Sequence, residues 1–293
     1  MSGMRVLDVD ERGRLLTAAT EGDQSRLVET DAKGNSRELA VVGDLTLARY
    51  LPEERTVVVQ HGTPARLSLL RANGKMSPLL GAPDHDTELL GVLPGRIVYR
   101  ANRRHRLLYT VVIRNVLVGE EQAVYDRGGS VLEAAVSANS RHIAIRMPRK
   151  LVLVDTMPLT EDDHVRLISP EPVDAGHRTL AWLPDSQRLL ATEYGPESAA
   201  VTRWNVTDPE WSTLVPDLPL SATAHLAPDG RRFAVALPDG ISLHETETGR
   251  YLRSAAVPAP TDVRWTPDSL RLVVTGAGGI SWVEAESGAV KAA

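Results

Sequence analysis

HLAPDGRRFAVALPDGISLHETETG, residues 225–249, sets short apolar runs between tight turns. Ala224 and Leu226 precede Pro228-Asp229-Gly230. Phe233, Val235 and Leu237 lead to Pro238-Asp239-Gly240, and Ile241 and Leu243 run on to Thr248-Gly249. Alternating apolar runs separated by Pro-Asp-Gly turns predict an antiparallel meander. One such unit exposes two apolar faces, so further copies should stack against it.

The unit recurs. The first apolar residue after each turn is Leu15, Val57, Ile97, Ile143, Leu189, Phe233 and Leu272, at spacings of 42, 40, 46, 46, 44 and 39 residues. The turns before them read ERGR, PEER, LPGR, ANSR, PDSQ, PDGR and PDSL. A period of about 40 to 45 residues with four strands per repeat is the propeller range. The expected fold is therefore all-β, a seven-bladed propeller of four-stranded antiparallel blades filling residues 1–293 as one domain. Repeat seven has only Gly288 to Ala293 for its fourth strand, and neither end has a strand to lend. Closure should then rest on apolar packing between the first and last blades, without strand exchange.

Composition narrows the chemistry. Apolar residues make up 42% and charged residues 24%, as in an ordinary globular protein. With five Trp, six Tyr and one Phe, the core must be mainly aliphatic. A net charge of −5 argues against a nucleic-acid surface. The absence of cysteine excludes disulfides, thiolate metal sites and a cysteine nucleophile. No apolar run reaches secretory or membrane-spanning length, so a cytoplasmic protein with no membrane partner is expected.

Local clusters read mostly as turns. Arg100, Arg103, Arg104, His105 and Arg106 form the densest basic group, placed on a hairpin tip between second and third strands. A nucleic-acid contact needs such charge spread over a face with stacking aromatics. Glu161, Asp162, Asp163 and His164 form an acidic loop, and Asp84-His85-Asp86 an acidic linker; either set has the ligand types for a hard cation, or is simply solvated. The remaining histidines, 61, 85, 105, 142, 164, 177 and 244, are expected on turns, linkers or outer strands without metal-ligand spacing. No metal or other cofactor is expected.

The turn units resemble the WD-like repeats of TolB. A tighter resemblance is to the N-terminal propeller of prolyl oligopeptidase-family serine peptidases, including acylaminoacyl-peptidase types. It is carried by ARYLPEERTVVVQH (48–61), LLGVLPGRIVYRANRR (89–104) and GEEQAVYD (119–126). It spans nearly the whole chain but implies a scaffold and no chemistry. That family's peptidases carry a Gly-x-Ser-x-Gly elbow on a following hydrolase domain. Here the stretches at 34–38 and 128–132 both fail at the closing glycine. The chain is expected to be either a free-standing propeller or the propeller part of a longer protein.

The inner strand of each blade should be the run before the turn. Tyr50, Val92, Val136, Trp182, Leu226 and Trp265 align there as inter-blade core. The residues one step earlier are Arg49, Gly91, Ala135, Ala181, His225 and Arg264, and alternation puts them on the opposite side. Arg49, His225 and Arg264 stand out as candidate binding residues, an anion-attracting group at one mouth of the channel. The competing reading is that each bonds to nearby backbone or channel water. In repeat one the register is open, because Asp8 and Asp10 fall where other repeats are apolar.

No catalytic carboxylate is evident on these strands, and no catalytic residue is assigned. Two functions remain: a non-catalytic propeller that binds a peptide, a protein or a small anionic molecule at a face or in the channel, and an enzyme. The enzyme would work at the channel mouth or through a hydrolase domain outside this sequence.

Overall fold

The computed structural model describes residues 3–148, 150–157, 165–167, 176–207 and 211–292. Seven sheets, each of four antiparallel strands in simple sequential order, make seven blades, and no helix occurs among the described residues. Blade 6 shows the pattern, with strands Thr223–Leu226, Arg232–Leu237, Gly240–Glu245 and Tyr251–Ala255. The inner strands are Gly3–Val9, Leu45–Tyr50, Thr87–Leu93, Glu133–Val136, Gly176–Trp182, Thr223–Leu226 and Asp262–Trp265.

The seven aligned residues Leu15, Val57, Ile97, Ile143, Leu189, Phe233 and Leu272 all lie in the core, none more than 5% exposed. Both faces of a blade are apolar because each packs on a neighbour, which is why the second strands read as continuous runs such as Val57-Val58-Val59. The turns between first and second strands close on their own acids. Asp10, Asn139, Asp185, Asp229 and Asp268 each accept the N–H two residues on, the Asx turn that Asp and Asn favour.

Turns also tie blade to blade. Ser186 and Ser269, both in the left-handed region, accept the N–H of Asn139 and Asp229 on the preceding blades. In blade 6 that turn position is Gly230, at φ +70°, where a Cβ would stand 2.4 Å from Pro184 of blade 5.

An inner strand is a sheet edge with unpaired N–H groups, and such edges need partners. The preceding blade supplies them from side chains. Tyr50 N donates to Asp8, Leu89 N to Gln60, Leu180 N to Glu133, Ala224 N to Thr192 and Val6 N to Thr275, at 2.7–3.0 Å.

The ring closes without strand exchange: the first sheet holds only the first four strands, and the last ends in the short strand Val290–Ala292. The expected apolar packing at closure is thin. Val6, Leu15 and Val273 are the only buried residues of that cluster, whereas the other inter-blade clusters each bury eight to thirteen among the described residues. Polar bonds carry much of the seam instead, from Val6 N to Thr275 Oγ1 (2.9 Å) and from Arg264 Nε to the Leu7 carbonyl (3.2 Å).

Several placements differ from expectation. The basic cluster is not a hairpin tip, because the second strand of blade 3 extends through Arg96–His105. Arg100, Arg103 and Arg104 each pair with a carboxylate, Glu88, Glu121 and Asp126, which pins the extension to its neighbours. His142 and His244 lie inside second and third strands, and His177 lies on an inner strand. His244 stacks on Phe233 and bonds to Ser242, so it behaves as a satisfied core residue. Asp84, His85 and Asp86 bond locally, Asp84 to His85 and Asp86 to Ala65 N. The acidic loop 161–164 lies outside the described residues.

Candidate functional site at the channel

Arg49, His225 and Arg264 each stand one residue before the end of an inner strand, so they occupy one level of the ring. Their flanking residues Ala48 and Tyr50, Ala224 and Leu226, Val263 and Trp265 all pack into inter-blade clusters. The strand period of two therefore turns the three polar side chains away from those clusters.

The structure brings them together. Arg49 Nη1 donates to the Leu7 carbonyl at 2.6 Å, and Arg264 Nε donates to the same oxygen at 3.2 Å. Arg264 Nη1 also reaches the carbonyl of Val263 at 2.9 Å. His225 Nε2 sits 3.0 Å from the Thr223 hydroxyl. His225 is enclosed by protein yet keeps some solvent access, as suits a narrow channel.

Sequence reasoning missed Asp8. Strand pairing sets Asp8 opposite Leu16, as Arg49 is set opposite Val58, His225 opposite Ala234 and Arg264 opposite Val273. A bulge between Val6 and Asp8 and a turn one residue shorter than in blades 2, 6 and 7 displaced the register. The signal was present in the pair of acids where other repeats are apolar. Asp8 Oδ2 accepts Tyr50 N at 2.9 Å, and Oδ1 lies 3.4 Å from Arg49 Nη1.

The ring is thus two-sided. Blades 6, 7, 1 and 2 contribute His225, Arg264, Asp8 and Arg49 at this level, while blades 3, 4 and 5 contribute Gly91, Ala135 and Ala181. Burial pushes the His225 imidazole down to about 3, with the positive charges of Arg264 and Arg49 acting in the same direction. Among the described residues no carboxylate opposes them at that position. Burial and Arg49 push Arg264 down to about 10, against the pull of Asp8 and Asp262.

His225 is therefore neutral at physiological pH, facing two cations. A depression of about 260 Å3, lined by Asp8, Arg14, Tyr50 and Val92 among others, opens beside the turns at the same end. His225 and Asp8 are not bonded to each other. The arrangement offers hydrogen-bond donors and positive potential, and no paired acid and base. Among the described residues no group of three His, Asp or Glu is disposed to hold a metal ion.

Two Trp residues fix the level. Trp265 Nε1 donates to the His225 carbonyl at 2.8 Å, and Trp182 Nε1 to that of Ala135 at 2.9 Å, each reaching back to the preceding blade.

No family model matches the chain, and no curated protein matches its sequence. Its fold does match solved structures. An oligogalacturonate lyase in complex with manganese is similar over 94% of this chain and 87% of that one, at 12% identity and a TM-score of 0.75. The oligogalacturonate lyase of Vibrio parahaemolyticus matches over 95% and 90%, at 10% identity and a TM-score of 0.72. A prolyl endopeptidase matches over 99% of this chain and 49% of its own, at 13% identity and a TM-score of 0.72. At such identities the likeness is one of fold, and the fold it shows is the seven-bladed propeller with four antiparallel strands in each blade.

Proposed function

We propose that this propeller is a non-catalytic binding module that recognises a carboxylate or phosphate of a small molecule or peptide at the channel mouth beside His225. The observation that carries the reading is the convergence of Arg49 and Arg264, from blades 2 and 7, on one carbonyl of blade 1. Their remaining donors and their charge then bear on a narrow, low-dielectric passage, where positive potential is strongest. Neutral His225 adds a hydrogen-bonding group without adding charge. The separation of His225 from Asp8 supports binding over acid–base catalysis.

Calorimetric titration with inorganic phosphate and with acetate tests it. The wild type should bind at least one of them, and an Arg49→Ala/Arg264→Ala double variant should bind it at least about tenfold more weakly, the loss of one charge-assisted hydrogen bond. Unchanged affinity in a folded double variant would end the proposal.

A second reading has its own observation. The chain aligns over 99% of its length with about half of a prolyl endopeptidase, as the propeller of such an enzyme would. It is tested with the natural gene product. Fluorophosphonate labelling of one serine would support a peptidase; an unlabelled product would exclude a serine nucleophile.

A further inference from the structure

The seam between blades 7 and 1 is open. A cleft of about 950 Å3 separates the two sheet faces, with Leu15, Thr17 and Val28 on the blade 1 wall and Ile280 and Trp282 on the blade 7 wall. Ile280 and Trp282 alternate with Val283, which packs the other way, into the blade 6–7 core. The walls meet only in part: Ile280 and Trp282 pack against the small Val6–Leu15–Val273 cluster and are themselves only partly buried.

The opening is built into the local sequence. Gly13 and Gly34 on blade 1 and Gly278 and Gly279 on blade 7 line it, and a Cβ on any of the four would meet nothing within 4 Å. Gly13, Gly34 and Gly279 have positive φ, which their turns require. Gly278 does not, and a side chain there would stand in open space.

One charged side chain, whose carboxylate neighbour Asp268 stands beyond ion-pair distance, reaches partway into the cleft. Arg271 is half-buried, its guanidinium carbon 4.9 Å from the centre of the Trp282 ring, and it makes no ion pair among the described residues. The acids of the rim are occupied or exposed. Asp268 accepts the Thr266 hydroxyl and Leu270 N, though it feels the charge of Arg271. Asp31 accepts Lys33 N, Asn35 N and the Asn35 amide. Glu11 is exposed on the rim turn, as is Arg12.

An apolar cleft of this size, with an aromatic wall and a single convergent cation, has the form of a small-molecule site. From this we infer that the seam binds an amphipathic acid: a flat apolar or aromatic body between Trp282 and the Leu15–Val28 wall, with its carboxylate on Arg271. The site is separate from the channel and does not depend on the reading given for it. A guanidinium resting on an indole presents its N–H edge to such a carboxylate.

The test uses 1-pyrenebutyrate, with 1-pyrenebutanol and 1-pyrenebutylamine as the neutral and cationic versions of the same body. The acid should saturate one site per chain, accept energy from tryptophan, and bind about tenfold more tightly than the alcohol or amine. Trp282→Phe should remove most of the energy transfer, and Arg271→Gln should bring the acid down to the alcohol. Ala19→Phe, which fills the cleft from the blade 1 wall, should abolish binding and keeps the test open if a blade 7 variant does not fold. Arg49→Ala, a channel variant that leaves the Arg264–Leu7 seam bond in place, should leave pyrenebutyrate binding unchanged. The proposal is overturned if no saturable binding occurs, if acid and amine bind alike, or if binding survives Ala19→Phe. It is overturned equally if binding is lost in the channel variant, or if a self-associating chain proves to cover the seam.

Discussion

Arg49 and Arg264 donate to one acceptor, the carbonyl oxygen of Leu7, from opposite sides of it. One belongs to the second blade and the other to the seventh, so blade 1 is held between two cations that also repel each other. Asp8, the next residue, is the nearest compensation, and this sets up a direct test. Asp8→Asn should destabilise the fold by about 1–3 kcal/mol, the cost of weakening a partly buried charged contact. Added phosphate should restore more stability to this variant than to the wild type, because it replaces the missing negative charge. Thermal melts with and without phosphate check it; equal phosphate effects in the two proteins would count against an anion site.

His225 predicts a pH dependence. In the unfolded chain an imidazole takes its proton near pH 6.5, whereas folded His225 resists protonation down to about 3. Between those values the unfolded state binds more protons, so this contribution is complete above pH 6.5 and is lost as pH falls toward 3. The slope is at most about 1.4 kcal/mol per pH unit. His61 and His244, also held low by burial, act in the same sense. The measurement is therefore the difference between wild type and His225→Gln in denaturant melts at pH 7.5 and 5. The variant should lose less stability on acidification; parallel losses would contradict the assignment.

The indole bonds predict a third outcome. Trp265→Phe keeps most of the ring's volume but leaves the His225 carbonyl without its donor from Trp265 Nε1. A loss of about 1–3 kcal/mol is expected. Trp182→Phe should behave alike, since its indole makes the equivalent bond to Ala135. Urea midpoints at constant slope read the effect.

Gly230→Ala tests the turn contacts. The new Cβ would fall 2.4 Å from Pro184 Cδ, in a left-handed conformation that already disfavours it. About 1–3 kcal/mol should be lost, whereas Gly278→Ala, facing open space, should cost far less.

The repeat was legible because the rule that made it is local. Each blade needs a Pro-Asp-Gly or equivalent turn and then a residue like Phe233 or Leu272, buried on a fixed count. Arg49, His225 and Arg264 were legible for the same reason, as each stands one step before an anchor. Asp8 was not, because a bulge and a shortened turn changed the count in blade 1 alone. The seam was illegible for a different reason. Leu15, Val28, Ile280 and Trp282 are as apolar as their counterparts elsewhere, and only the spacing of two blades far apart in sequence decides how far they close on each other. The extension of the Arg96–His105 strand likewise depended on carboxylates from other strands, Glu88 and Glu121.

Seven near-equivalent blades would present a visitor on the axis with seven near-equivalent poses. Gathering Asp8, Arg49, His225 and Arg264 on neighbouring blades and leaving Gly91, Ala135 and Ala181 across from them removes that degeneracy. The channel acquires a direction perpendicular to its axis, and a molecule bound as proposed would have one way to face. Symmetry gives this protein its frame, and at this single level the side chains break it.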